Sequence, residues 1–165
     1  MPAVSDTSPI LGLSAIGLLG LLKNQFETIY IPQAVLDELK VETAFRGTSA
    51  IQKALKDGWL ELREVQNKPL AQALSLELDK GESESIALAV DLGIQMLVMD
   101  ETMGRERARA MGLQTVGVLG ILLNAKRKGQ IESIREAMNS LRQEVGFYIS
   151  DVLFEQVIKT AEEIE

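Results

Sequence analysis

The chain of 165 residues contains no cysteine and no histidine. Without cysteine it has no disulfide bonds and no thiolate metal sites. Without histidine it has no serine-type catalytic triad, no histidine-ligated zinc and no imidazole acid–base chemistry. Any catalysis must therefore depend on carboxylates, hydroxyls, lysine, arginine or a bound metal ion.

Aromatic residues and positive charge are also scarce. Aromatics make up 4% of the chain, so leucine, isoleucine, valine and alanine must fill the core. Lys and Arg number 17 against 24 Asp and Glu, which gives a net charge of −7. A simple nucleic-acid binder is usually basic, so this balance argues against non-specific duplex binding by the protein alone. It does not exclude a nuclease, because clustered carboxylates become favourable once divalent cations bind.

Long hydrophobic runs are missing as well. The most apolar segment, residues 10–22, is shorter than the ~20 residues that a transmembrane helix needs, and it contains glycines. It lacks the basic start of a signal peptide, and Asp6 precedes it. We therefore expect a buried core helix, no membrane partner and a cytoplasmic location.

Strand-like and helix-like segments alternate along the chain. The predicted strands are residues 2–6, 27–31, 59–65, 95–99 and 113–116. The predicted helices are residues 9–22, with Ser8 as N-cap, a helix opening at Pro32, and residues 49–56, 70–78, 82–92, 102–111, 118–128, 131–142 and 150–164. This order predicts a single α/β domain in three α/β/α layers around a central parallel sheet. Its core spans about residues 2–130, followed by a helical C-terminal extension over about 131–164.

Acidic residues follow two of the predicted strands. Asp6 comes after the first strand and Asp100 after the fourth. Because ligands of such sheets bind at the carboxyl ends of the strands, this placement is a first indication of a site. Each residue alone also has a structural explanation, since an aspartate there is commonly a helix N-cap or part of a solvated turn.

Two further acids lie on predicted helices. Glu38 is on the helix after Pro32, where an exposed Glu–Lys helix would explain it and where Asp37 is an alternative. Glu82 begins an alanine-rich helix, where an acid in the first turn offsets the helix dipole. Glu84 is near enough to be an alternative to Glu82.

Six segments together resemble the PIN-domain family, in particular the branch of unassigned PIN-like proteins related to VapC toxins. They are VSDTSP (4–9), IPQAVLDEL (31–39), GESESIALA (81–89), LVMDE (97–101), GRERA (104–108) and VGVLGIL (116–122). Their order and spacing make the resemblance fairly specific over about residues 2–130. The resemblance implies a PIN-like three-layer α/β/α fold.

The resemblance also implies a set of catalytic, metal-ligating acids. They are Asp6, Glu38, Glu82 and Asp100, with Glu84 and Glu101 as additional candidates. Glu82 stands where the wider family often has Asp, the pair Asp100-Glu101 stands where this branch commonly has two aspartates, and Val118 stands where a Thr is often found. The implied cofactor is Mg²⁺ or Mn²⁺, which prefer oxygen ligands and usually keep several waters.

The function that the resemblance implies is an endoribonuclease that hydrolyses RNA phosphodiester bonds with the help of these cations. The chain could be the toxin of a toxin–antitoxin pair. Candidate substrate-binding residues are Thr7, Ser8 and Arg105, although helix capping is the favoured role of the two hydroxyls. Arg105 lies nearest the site end of its predicted helix and could hold the phosphate backbone.

Partners and alternatives follow from the same features. PIN proteins of this kind often form homodimers or higher homo-oligomers, and an antitoxin with a basic residue would suit the acidic pocket. Apolar residues near the C-terminus could form the dimer seam: Ile149, Val152, Leu153, Phe154 and Val157. The same residues would support an alternative function, a catalytically weak or inactive PIN-like module for protein interaction or assembly. A metal-dependent phosphatase is less favoured, because no second Asp follows Asp6 two residues later.

Overall fold

The computed structural model describes residues 1–164, and within them it contains one five-stranded sheet. Its strands are β1 (Ala3–Ser5), β2 (Ile29–Ile31), β3 (Leu60–Leu62), β4 (Met96–Val98) and β5 (Gln114–Val116). They lie in the order β3-β2-β1-β4-β5, and each neighbouring pair is parallel. From β1 the chain adds β2 and then β3 on one side of the sheet. It then returns to add β4 and β5 on the other side of β1, so the direction of strand addition reverses between β1 and β4. Ligands of doubly wound sheets bind at such a point.

Helices lie on both faces of the sheet. They are α1 (Thr7–Ala15), α2 (Gly20–Phe26), α3 (Gln33–Leu39), α4 (Thr48–Asp57), α5 (Lys68–Leu74), α6 (Lys80–Leu92), α7 (Thr102–Ala110), α8 (Val118–Arg127), α9 (Ile134–Ser140) and α10 (Asp151–Ile164). A π-helical turn, Leu141–Val145, follows α9. The predicted three-layer α/β/α fold with a central parallel sheet is therefore confirmed.

Two hydrophobic clusters cover the two faces of the sheet. Successive strand side chains point to opposite faces. Accordingly, Ala3 and Val98 belong to the larger cluster, whereas Val4 and Leu97 belong to the smaller one. Both faces are thus buried, which leaves the carboxyl ends of the strands as the part of the sheet where polar side chains can meet.

The first predicted helix is wrong in two respects. Residues 9–22 form parts of two helices, with a break at Gly17, whose φ of 76° is a conformation that favours glycine. Helix α1 also begins earlier, at Thr7, and its N-cap position is occupied by Asp6 rather than Ser8. The reason is that β1 ends at Ser5, so the chain enters the helix directly from the strand.

The C-terminal helices pack on the chain's own core. Ile149, Phe154 and Val157 are buried, while Val152 and Leu153 are 71% and 40% exposed. Three of the five residues expected at a dimer seam therefore belong to the core of the single chain, and that part of the prediction is wrong. Within residues 1–164, no helix has the length and apolar character that crossing a membrane requires.

Candidate acidic active site

Asp6 lies at the strand reversal, buried to 7% exposure. Its backbone N–H donates to the Val98 carbonyl at 2.9 Å, which continues the β1–β4 pairing and fixes the residue beside the end of β4. Burial raises the pKa of the Asp6 carboxyl to about 7, opposed by a hydrogen bond from the Thr7 backbone and reinforced by neighbouring carboxylates. A buried acid of this kind ionises more readily when a cation is near it.

Glu38 meets Asp6 over the backbone of Gly81. A Cβ atom at Gly81 would clash with Glu38 Oε1 and would lie 3.2 Å from Asp6 Oδ1. The Thr7 hydroxyl donates to Glu38 Oε1 at 2.9 Å. Burial, followed by nearby carboxylates, raises the pKa of Glu38, while the Thr7 hydrogen bond lowers it. The glycine at position 81 therefore allows two acids from distant segments to approach each other.

Asp37, the alternative to Glu38, is engaged elsewhere. Its Oδ1 accepts a hydrogen bond of 2.7 Å from Gln33 Nε2, and the pair is exposed. Thr7 likewise has a partner, since its hydroxyl holds Glu38. The structure therefore brings Glu38, not Asp37, to Asp6, and it places Thr7 between the two acids as a positioning group.

Glu82 is buried to 5% exposure and has a structural role as well. Its Oε1 accepts from the Asp79 N–H at 3.0 Å, while Asp79 Oδ1 accepts from the Glu82 N–H at 2.8 Å, which forms a capping box at the start of α6. Burial raises the pKa of Glu82, with Asp79, Glu101 and Glu38 acting in the same direction and the Asp79 backbone hydrogen bond opposing them.

Asp79 is the acid that the sequence prediction missed. It is exposed, and its charge raises the pKa values of Asp6, Glu38 and Glu82. The signal that could have found it is the spacing Asp79-x-x-Glu82, which is the sequence pattern of a capping box. A side chain that caps α6 from this position necessarily lies at the same edge of the sheet as the predicted site.

Glu84 holds the helix that carries Glu38. Its Oε1 accepts from the Ala34 N–H at 3.0 Å, in the first turn of α3. The charge of Glu84 also raises the pKa of Glu38. The geometry thus gives Glu84 a role in fixing α3, at the margin of the acidic cluster.

Asp100 occupies the other half of the site, at the end of β4. Its Oδ1 accepts from the Val118 N–H at 2.8 Å, so it also fixes the start of α8. Its Oδ2 is buried and has no hydrogen-bond partner among the described residues. Burial raises the pKa of Asp100, while the Val118 hydrogen bond, the charge of Arg105 and the nearby Ser8 hydroxyl lower it. A buried oxygen without a partner is costly, and a ligand would relieve that cost.

Arg105 lies beside Asp100. Its Nη1 donates to the Met99 carbonyl at 3.0 Å. A Cβ atom at Gly117 would lie 2.7 Å from Asp100 Oδ1 and 2.9 Å from Arg105 Nη1, so only a glycine leaves room for both. Burial lowers the pKa of Arg105, and the nearby Arg109 acts in the same direction. This guanidinium therefore brings a positive charge to an otherwise acidic edge.

Glu101 and Ser8 complete the surroundings of Asp100. Both line a groove of about 640 Å³ that also contains Asp100 and Arg105. Glu101 is exposed at the N-cap of α7 and makes no side-chain capping bond. Its charge raises the pKa values of both Glu82 and Asp100, so it lies between the two halves of the site.

The donors suit a hard divalent cation held by few ligands. Within the described part of the chain, no three acids already stand in an arrangement that could hold a metal ion. Mg²⁺ is usually held by one or two carboxylates and keeps several waters, so it does not require such a cage. The unpartnered Asp100 Oδ2 and the raised pKa of Asp6 are both features that a cation would relieve. These residues therefore fit Mg²⁺ or Mn²⁺.

Comparison with known proteins gives one match. Neither the curated proteins nor the solved structures include one that matches the chain. A family profile described as a PIN domain matches residues 2–163, which extends beyond the motifs of residues 2–130 to include the C-terminal helices. The match does not separate a VapC-like branch from other PIN domains, which are generally nucleases and typically use divalent metals. On this match and this fold, the chain belongs to the PIN-domain family.

Proposed function

We propose that the protein is a metal-dependent endoribonuclease that hydrolyses RNA phosphodiester bonds. The observation that carries this proposal is the convergence of Asp6, Glu38 and Glu82 with Asp79 at the strand reversal, on the edge of the sheet where β4 leads into Asp100. Burial, reinforced by mutual repulsion, raises the pKa values of Asp6, Glu38 and Glu82. Glu38, Asp79 and Glu101 are exposed, so the acids line an open edge along which a continuous RNA strand can pass.

Each residue has a proposed role at this edge. Asp6 and Asp100 would hold Mg²⁺ or Mn²⁺, and Glu38 and Glu82 would complete the site directly or through water. The cation, when bound, supplies the positive charge that activates water and stabilises the charge of the phosphate. Arg105 orients a phosphate oxygen beside Asp100 through charge-assisted hydrogen bonds.

The test is to neutralise the two central acids without changing their size. Asp6→Asn and Asp100→Asn are each expected to lower Mn²⁺-dependent cleavage of unstructured RNA by more than about 100-fold, as removal of a principal electrostatic group does. Asp57→Asn is the matched control, because Asp57 forms a surface ion pair with Lys53 on α4, away from the acidic site. Circular dichroism would show that all three variants are folded. Full cleavage by both site variants would remove the assignment.

A catalytically inactive interaction module is the second candidate. It is favoured by the engagement of Asp100 Oδ1 and Glu82 Oε1 in backbone hydrogen bonds that fix helix starts. On this alternative, calorimetry would detect no Mn²⁺ binding by the wild type, and Asp100→Asn would bind partners unchanged. Mn²⁺ binding that is lost in Asp100→Asn would instead support the nuclease.

The proposed partners follow from charge and exposure. A basic segment of an antitoxin would be complementary to the acidic edge and would block it. A homodimer or higher homo-oligomer would use Val152 and Leu153, the exposed members of the residues expected at the seam.

A further inference from the structure

We propose that Tyr148 forms a stacking subsite for a base of single-stranded RNA beside Asp100. This inference rests on the proposed function, because it gives the RNA strand a defined path away from the acids. It concerns the aromatic and apolar residues of the groove, which are not among the predicted site residues.

The groove is lined by residues of two kinds. Asp100 and Arg105 line it together with Phe147, Tyr148 and Leu153, which come from the segment before α10 and from α10 itself. The charged residues suit a phosphate and a cation, whereas the others offer apolar and aromatic surface. A nucleotide has these same two parts, a charged phosphate and an uncharged base with a flat π face.

Tyr148 is unusually placed for an aromatic residue of this chain. The residue is 85% exposed, in a sequence of which aromatics make up only 4%. Phe147, its neighbour, is partly buried and packs against the larger hydrophobic cluster. Phe147 therefore packs the loop onto the core, whereas Tyr148 is exposed to solvent.

The backbone around Tyr148 is fixed on both sides. The Phe147 N–H donates to the Leu141 carbonyl at 3.0 Å, and Arg142 donates to the carbonyl of Ile149, a residue that is 4% exposed. Since the loop is held before and after Tyr148, little backbone freedom remains to be lost on binding. Such preorganisation favours a ligand-binding role for the exposed ring.

The wall of the groove contains polar atoms without partners. Among the described residues, Asp100 Oδ2 and Thr115 Oγ1 are the buried side-chain oxygens or nitrogens that make no hydrogen bond, and both residues line this groove. Gly117 and Gly120 leave the same wall without side chains. Unpartnered polar atoms in a recessed wall favour a polar ligand such as a nucleotide over a flat apolar seam.

Stacking also suits the charge of the protein. Base–aromatic stacking needs no basic surface, so it can contribute affinity to a chain whose net charge is −7. It tolerates any base, because every base has a π face. We therefore expect a preference for unpaired RNA, with little preference for sequence at this position.

The experiment compares RNA with and without a base at the subsite. The probes are a fluorescein-labelled single-stranded RNA of about 12 nucleotides, within the range of known single-strand sites, and the same RNA with abasic positions. Fluorescence anisotropy in Ca²⁺ measures binding, and cleavage of the same RNA in Mn²⁺ gives KM and kcat. The variants are Tyr148→Leu, which removes the ring, Tyr148→Phe, which keeps it, and Leu76→Ala as a control at an apolar residue that is 86% exposed and lies outside the groove.

The wild type is expected to bind the base-bearing RNA about 5- to 150-fold more tightly than the abasic RNA, the range for one stacked base. Tyr148→Leu should lose this difference and raise KM with little change in kcat, whereas Tyr148→Phe and Leu76→Ala should retain it. Equal binding by Tyr148→Leu and the wild type would overturn the subsite.

The two proposals fail in different ways. The wild type could bind RNA in a base-dependent way that Tyr148→Leu loses, and yet cleave no RNA. That result would support the subsite and remove the nuclease. Normal cleavage and binding by Tyr148→Leu would remove the subsite and leave the nuclease. A change of oligomeric state in Tyr148→Leu by sedimentation, with RNA binding unchanged, would overturn the subsite in favour of a contact with a second copy.

Discussion

At the scale of single residues, the proton on Asp6 links the acidic site to folding stability. The carboxyl is buried, and its pKa is raised from 3.8 to about 7 by burial and by the charges of Asp79, Glu82 and Glu38. The folded protein therefore holds this proton more tightly than the unfolded chain does. Folding stability must fall as pH rises between these two values and stay low above the higher one.

This linkage predicts a pH effect on the metal-free protein. Raising the pH from about 4 to about 8 should lower the free energy of unfolding by at most ~4 kcal/mol through Asp6 alone, and Asp6→Asn should reduce that change. Urea unfolding at several pH values measures both. Mn²⁺ should restore stability chiefly at the higher pH, where the carboxyl ionises readily. If the free energy of unfolding falls equally with pH in the wild type and in Asp6→Asn, the proton responsible is bound by another group.

Gly81 gives a second prediction at this scale. A methyl group there would displace Glu38 Oε1 and crowd Asp6 Oδ1, so Gly81→Ala should lower Mn²⁺ affinity and cleavage. The fold should remain stable, because alanine favours a helix over glycine by roughly 0.5–1 kcal/mol and Glu38 can move aside. Gly20→Ala is the matched control, since a Cβ at that helical glycine meets nothing within 4 Å. Calorimetry with Mn²⁺ and thermal unfolding separate binding from stability.

At the scale of elements, Asp100 serves both the site and helix α8. Asp100→Asn keeps an oxygen for the Val118 N–H, whereas Asp100→Ala removes it and leaves that donor without its partner. Both variants should lose cleavage, but the alanine variant should be about 1–3 kcal/mol less stable than the asparagine variant. Urea unfolding of the two proteins measures the difference. Equal stabilities would mean that this bond does not fix the start of α8.

The elements also show where sequence reasoning is sufficient. Asp6 and Asp100 could be placed because both follow strands, and the carboxyl ends of parallel strands meet at one edge. The positions of Glu38 and Glu82 depend on how α3 and α6 pack, which periodicity does not specify, so only the resemblance to a family selected them. The break at Gly17 was missed because the segment is apolar throughout and gives no change of pattern.

At the scale of the whole molecule, the strand order explains why distant segments meet. The reversal between β1 and β4 brings the chain around residue 6 next to that around residue 100. Alternating strands and helices predict such a sheet, and the fold could therefore be predicted from the sequence. Burial of the C-terminal apolar residues could not, since an amphipathic helix looks the same whether its apolar face packs on its own chain or on a partner.

The acids that would bind the cation also hold the starts of helices. Asp100 fixes α8, Glu82 belongs to the capping box of α6, and Glu84 fixes α3. A homologue that had lost nuclease activity would still need these carboxylates to stabilise its helix starts. Their conservation among homologues would therefore be poor evidence of nuclease activity. Glu38 accepts its hydrogen bond from the Thr7 hydroxyl rather than from a backbone N–H, so it is the more informative position for distinguishing active from inactive homologues.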